Sequence, residues 1–181
     1  MHTFFAFLLR GYKMLGSVAS RLQSPFLLAI RLYWGWQFAQ SGWGKLHRLD
    51  QVTDFFASLN IPMPHVNAVL VSNLEFFGGI LLILGLASRL TGFVLTGNMV
   101  VAYITADREA LGSVFSDPGK FYAADPYTFL FASLIVLIFG AGFFSLDRYL
   151  ESRAATTTTK RERAPWPTAV AAQAATPEPG R

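Results

Sequence analysis

Arg31, Gln37, Glu75 and Asn98 are polar side chains that stand inside mainly apolar segments. Ionisable groups are costly to place in hydrocarbon, so those that occur there are the first place to look for function. Glu75 is the candidate catalytic residue. A carboxyl group at that depth could accept or deliver a proton, or hydrogen-bond the headgroup of a quinone. Arg31 could hold Glu75 ionised or bind an anion. The four together form a candidate ligand-binding polar cluster. The competing arrangement is a clasp in which Glu75 pairs with Arg31, the two amides bridge helices, and nothing binds. Trp34 and Trp36, in an aromatic run with Tyr33, Phe38 and Trp43, are candidates for lining a ring-binding cleft. Tryptophan also anchors helices at a membrane interface, and Trp43 suits that role.

Other chemistries lack their residues. The chain has no cysteine. That removes disulfides, thiol mechanisms and Cys-ligated iron–sulfur or zinc sites. A membrane haem needs axial ligands within spans, normally histidine. The three histidines, His2, His47 and His65, all lie outside the apolar segments. No metal-ligand motif and no phosphate-binding loop occurs, so no metal, haem or covalently bound cofactor is expected. A noncovalent quinone is the one cofactor the polar cluster suggests.

The elements that must position these residues follow from hydropathy. Of 181 residues, 52% are hydrophobic and 14% charged, against about 25% charged in soluble domains. A helix crossing the ~30 Å hydrocarbon core needs roughly 20 mainly apolar residues. Four windows approach this: 25–46, 66–87, 90–106 and 127–146. Runs such as Gly79 to Leu84 lack the alternation of barrel strands. The expected fold is all-α: a polytopic membrane protein with a four-transmembrane-helix bundle over residues 25–147. At ~1.5 Å rise per residue, Gln37, Glu75 and Asn98 fall near the midplane and Arg31 is shallower.

Residues 1–24 repeat apolar positions at Phe4, Leu8, Tyr12, Leu15, Val18 and Leu22. They are predicted to form an interfacial amphipathic helix, with Arg10, Lys13 and Arg21 near headgroups. With four spans both termini share one side. That side carries ten of the 15 Lys and Arg, the opposite side four, and Arg31 is within a span. Both termini are therefore expected in the cytoplasm. The two outer connections, 47–65 and 107–126, are long enough to fold over the outer mouth of the bundle. Residues 148–181, rich in Ala, Thr and Pro, are expected to be a disordered cytoplasmic tail. Arg161, Arg163 and Trp166 give it a candidate docking motif for anionic lipid or a soluble partner. Nucleic-acid binding is not expected, because these few basic residues have no folded reading surface.

Two stretches carry a family resemblance. Arg31-Leu-Tyr-Trp-Gly-Trp-Gln-Phe38 with Gly42-Trp-Gly-Lys45 is one. Glu75-Phe-Phe-Gly-Gly-Ile-Leu-Leu-Ile-Leu-Gly-Leu-Ala-Ser-Arg89 is the other. They resemble the first span, and the second span with its turn, of the DoxX family, over about residues 25–147. The resemblance implies a four-helix integral protein of the inner membrane. Some relatives are small subunits of quinone-linked sulfur-oxidising complexes, and others associate with redox-stress partners. The amino-terminal arm and the tail lie outside the family core, and the lack of cysteine separates this chain from thiol-active membrane oxidoreductases. The expected role is an accessory subunit of a larger redox or quinone-linked membrane complex, not catalytic alone, with lipid and protein partners. The alternatives are a non-catalytic scaffold, or a small proton-coupled transporter using Glu75. No inverted repeat or broken helix supports the transporter.

Overall fold

The structure, a computed structural model, describes residues 2–153, with side chains from Leu9 onward. Among the described residues all regular structure is helical. The elements are α1 (His2–Leu46), α2 (Leu49–Ser58), α3 (Pro64–Leu84), α4 (Ser88–Thr105), α5 (Arg108–Gly112), α6 (Pro118–Ala123) and α7 (Pro126–Phe139). Residues 1–148 make one compact unit. The second unit starts at Tyr149, and its described residues, 149–153, are helical. Arg161, Arg163 and Trp166 lie outside the described residues.

The first helix runs unbroken through Pro25. Residues 1–24 are thus not a separate element: the expected boundary marks where packing begins. Every residue from Leu9 to Gln23 is exposed, and Leu27 is the first buried one. At 45 residues, α1 is ~68 Å long, about twice the ~30 Å hydrocarbon thickness.

Small residues set the contact between α1 and α3. Gly35, Ala39 and Gly42 recur along one face of α1, and Ser72, Gly79 and Leu82 are buried along α3. A Cβ on Gly79 would meet the Gly35 carbonyl oxygen at 2.5 Å, and one on Gly42 would meet that of Ser72 at 2.6 Å. Helices in lipid gain their association from such close approach rather than from hydrophobic burial. The α4–α7 pair repeats the device at Gly92, where a Cβ would meet the Ser133 carbonyl oxygen at 3.0 Å. Thr96 adds a hydroxyl bond to Ser133 at 3.0 Å. Phe38, Leu82, Leu95, Met99 and Val136 form the buried core between the pairs.

The apolar windows and the helices do not coincide everywhere. Pro64–Leu84 is, among the described residues, the one helix long and apolar enough to cross a membrane by length and composition. The last window is helical only as far as Phe139, because Gly140 (φ 75°) and Gly142 (φ 74°) take left-handed conformations that end the helix. The α3–α4 turn is a Schellman-type cap. The Gly85 amide donates to the Leu82 carbonyl and the Leu86 amide to that of Leu81, with Gly85 at φ 66°.

Candidate functional site

Glu75 stands in the middle of the buried stripe of α3 and is 2% exposed. Its carboxylate accepts from three residues on two neighbouring helices. Lys45 Nζ donates to both oxygens, at 2.6 and 2.7 Å. Ser41 Oγ donates to Oε2 at 2.8 Å and Asn98 Nδ2 to Oε1 at 3.1 Å. Four contacts fill the acceptor capacity of the group, an arrangement that suits an ionised carboxylate, which accepts and does not donate. Lys45 keeps a third of its side chain exposed. The ion pair is therefore buried at its acidic end and wet at its basic end.

Trp34, Gln37, Ser41 and Lys45 follow one another at spacings of three and four and so share a face of α1. That face lines a cleft of about 910 Å³, with Glu75, Asn98 and Phe129 on the other walls. The volume is in the range of small-molecule sites. Gln37 makes no hydrogen bond to any described residue, so its amide faces the cleft with donors and an acceptor to spare. Trp34 meets Phe129 edge-on at 5.3 Å, and Phe38 packs on the same ring at 4.7 Å. Phe55 and Phe56 of α2 and Tyr122 close to α7 line the cleft towards its mouth. Both long connections thus contribute to the mouth, as expected from their length. Asp107 and Asp125 stand there too. Partial burial, and then the neighbouring Asp125 charge, hold the Asp107 carboxyl above the ordinary aspartate range.

The structure brings together Gln37, Glu75 and Asn98 from the expected cluster, with Trp34 beside them. It places Arg31 elsewhere, at the opposite end of the bundle. Arg31 is 1% exposed, and its guanidinium is spent on main-chain carbonyls. Nε donates to Leu82 at 2.9 Å, one terminal nitrogen to Ile83 at 3.1 Å, and the other to Phe144 at 2.9 Å and to Ala141. The reason lies in the Gly140–Gly142 break and the end of α3. Both leave carbonyls without helical partners, and a guanidinium supplies up to five donors. Asp147 completes this end by accepting from the Ala87 and Ser88 amides at 2.7 and 2.8 Å, at the start of α4. Arg31 therefore neither pairs with Glu75 nor lines the cleft. Trp36 is 57% exposed and does not line it either.

Ser41 and Lys45 were not among the expected site residues. Lys45 reads as an outer loop charge, yet it lies two helical turns beyond Gln37 on the same face. That spacing was the available signal. His47 and His65 are engaged separately: His47 Nδ1 is 2.9 Å from the Trp43 carbonyl, and His65 Nδ1 is 3.4 Å from Thr53 Oγ1.

Comparison with known proteins places the site in context. The DoxX family matches residues 26–108. This stretch holds Gln37, Ser41, Lys45, Glu75 and Asn98, and ends before α6 and α7. A protein of Bacillus subtilis (strain 168) named "Putative oxidoreductase CatD" is 27% identical over 123 residues, covering 68% of this chain and 85% of that protein. No solved structure matches the chain.

Proposed function

We propose that this chain, a DoxX-family protein over residues 26–108, is a multi-pass inner-membrane subunit of a larger redox complex and holds a quinone-type ring in the Glu75 cleft. Its spans in this reading are the second half of α1, then α3, α4 and α7, with both termini cytoplasmic. The cleft then opens outward, and the Arg31 clasp lies at the cytoplasmic face. A redox role is supported by family membership and by the oxidoreductase name of the B. subtilis relative.

The observation that carries the reading is the Lys45–Glu75 pair in a cleft where the Gln37 amide makes no hydrogen bond to any described residue. A purely structural clasp would leave no such amide and needs no cleft. A bound quinone supplies two-electron, two-proton redox chemistry, in exchange with partner subunits. The residues of this chain bind and orient the ring. The Gln37 amide and the Lys45 ammonium are donors for a ring carbonyl. The Glu75 carboxylate, its acceptors taken by Lys45, Ser41 and Asn98, holds the Lys45 ammonium in place beside the ring. Trp34 and Phe129 form an apolar wall that excludes water from one face.

The test is gentle purification from native membranes, followed by mass spectrometry of proteins and extracted lipids. The expected result is a stoichiometric set of redox subunits with quinone. A lone chain with neither would contradict the proposal.

A further inference from the structure

Among the described residues, the apolar side chains of α1 from Leu9 to Gln23 are exposed. Tyr12, Leu15, Leu22 and Phe26 are 77%, 73%, 60% and 56% exposed, and Ala19 is exposed as well. These five positions advance by three, four, three and four residues. That is the repeat of a coiled-coil seam, with Tyr12, Ala19 and Phe26 at position a and Leu15 and Leu22 at position d. The register continues back through Leu8 and Phe5, which stand at d and a of the preceding heptad within the same helix. Three successive heptads are thus apolar at both seam positions, with Phe26 opening a fourth.

The charges respect the same register. Arg10, Lys13 and Arg21 fall at f, b and c, on the side away from the seam, and the serines at 17, 20 and 24 fall at f, b and f. No like charge would face its copy across a twofold axis. Gly11 and Gly16 occupy the flanking g and e positions. A Cβ on either would meet nothing within 4 Å, so no contact among the described residues explains a residue that costs about 0.5–1 kcal/mol in a helix interior. Opposite a second helix, their lack of a side chain allows close approach.

We infer that this arm is a self-association element: two copies of the chain join through a parallel coiled coil along Tyr12, Leu15, Ala19, Leu22 and Phe26. Parallel orientation follows from the membrane placement proposed above, since two copies inserted the same way present their arms side by side. Nothing in the inference depends on the quinone. Sharing one bilayer raises the effective concentration of the arms, which lets a short seam suffice.

The absence of cysteine makes the test direct. Single variants L15C and L22C at d, and Y12C at a, are compared with K13C at b and S17C at f. The full chain is used in native membranes under mild oxidation. The expected result is a covalent dimer of twice the chain mass, formed at seam positions at least about fivefold more than at b and f. All five positions are exposed, so none should disturb the bundle. Equal crosslinking at every position, or none at any, overturns the inference. Protection of the seam cysteines by lipid, without dimer, overturns it in favour of an arm lying on the membrane surface. A seam crosslink to a chain of different mass overturns it in favour of another protein partner.

Discussion

Glu75 and Arg31 are both buried charges, and the partners they take divide them between two tasks. Arg31 ties together the carbonyls that two helix ends leave open. Glu75 shares its carboxylate with a lysine at the cleft. Their variants should fail in opposite ways. Arg31→Ala leaves several buried carbonyls without donors, a loss on the order of 3 kcal/mol. It should lower Tm strongly while leaving ligand affinity intact in the folded fraction. Lys45→Met strands a buried carboxylate. Its cost is on the order of 2 kcal/mol, because Lys45 is partly hydrated, but ligand affinity should fall with it. Thermal melts and binding on the same preparations separate the two. Residue type alone made Glu75, Gln37 and Asn98 legible, since polar groups in apolar windows need partners. The partner of Arg31 was not legible, because its ligands are main-chain carbonyls freed by a conformation. Lys45 was assigned by its position in the chain to the outer loop charges, although a lysine at a helix end can reach inward along its own helix.

At the scale of elements, the helix glycines divide by what each of them faces. Gly35, Gly42, Gly79 and Gly92 each face a neighbouring backbone, whereas a Cβ on Gly97 would meet nothing within 4 Å. Gly79→Ala should therefore wedge α1 from α3 and lower Tm. Gly97→Ala should raise stability by about 0.5–1 kcal/mol through helix propensity alone. Parallel melts of the two variants check the contrast, and a loss in both would contradict the packing described. Hydropathy also overran the end of α7. Gly140-Ala141-Gly142 is apolar enough to extend a window, but its φ values end the helix there. Hydropathy measures transfer to lipid and carries no information about backbone conformation. The turn between α3 and α4 depends on the same freedom: Gly85 takes a left-handed conformation that caps α3.

At the scale of the whole molecule, the proposed topology puts the cleft outward and the Arg31 end inward. In intact cells, a membrane-impermeant maleimide should label Lys120→Cys and spare Arg153→Cys; the reverse pattern would invert the topology. Stability should also depend on pH through Asp107. Its folded-state pKa is raised by burial and by Asp125, so ionisation costs stability. The cost is absent below the ordinary aspartate value of 3.8 and develops as pH rises through the raised one. Asp107→Asn should melt higher than wild type at pH 7 and match it near pH 3. Composition was sufficient to indicate long apolar helices, because 52% hydrophobic content in long runs without strand alternation has few other solutions. It could not indicate a cleft, which arises only when two connecting segments meet over four helices. The most direct measurement is equilibrium binding of decylubiquinone to the full chain in lipid nanodiscs, for wild type, Glu75→Gln and Arg31→Lys. Saturable wild-type binding is expected, weakened at least about tenfold, or 1.4 kcal/mol, by Glu75→Gln and unchanged by Arg31→Lys. Absent binding, or equal affinity in all three, would contradict a quinone site at Glu75.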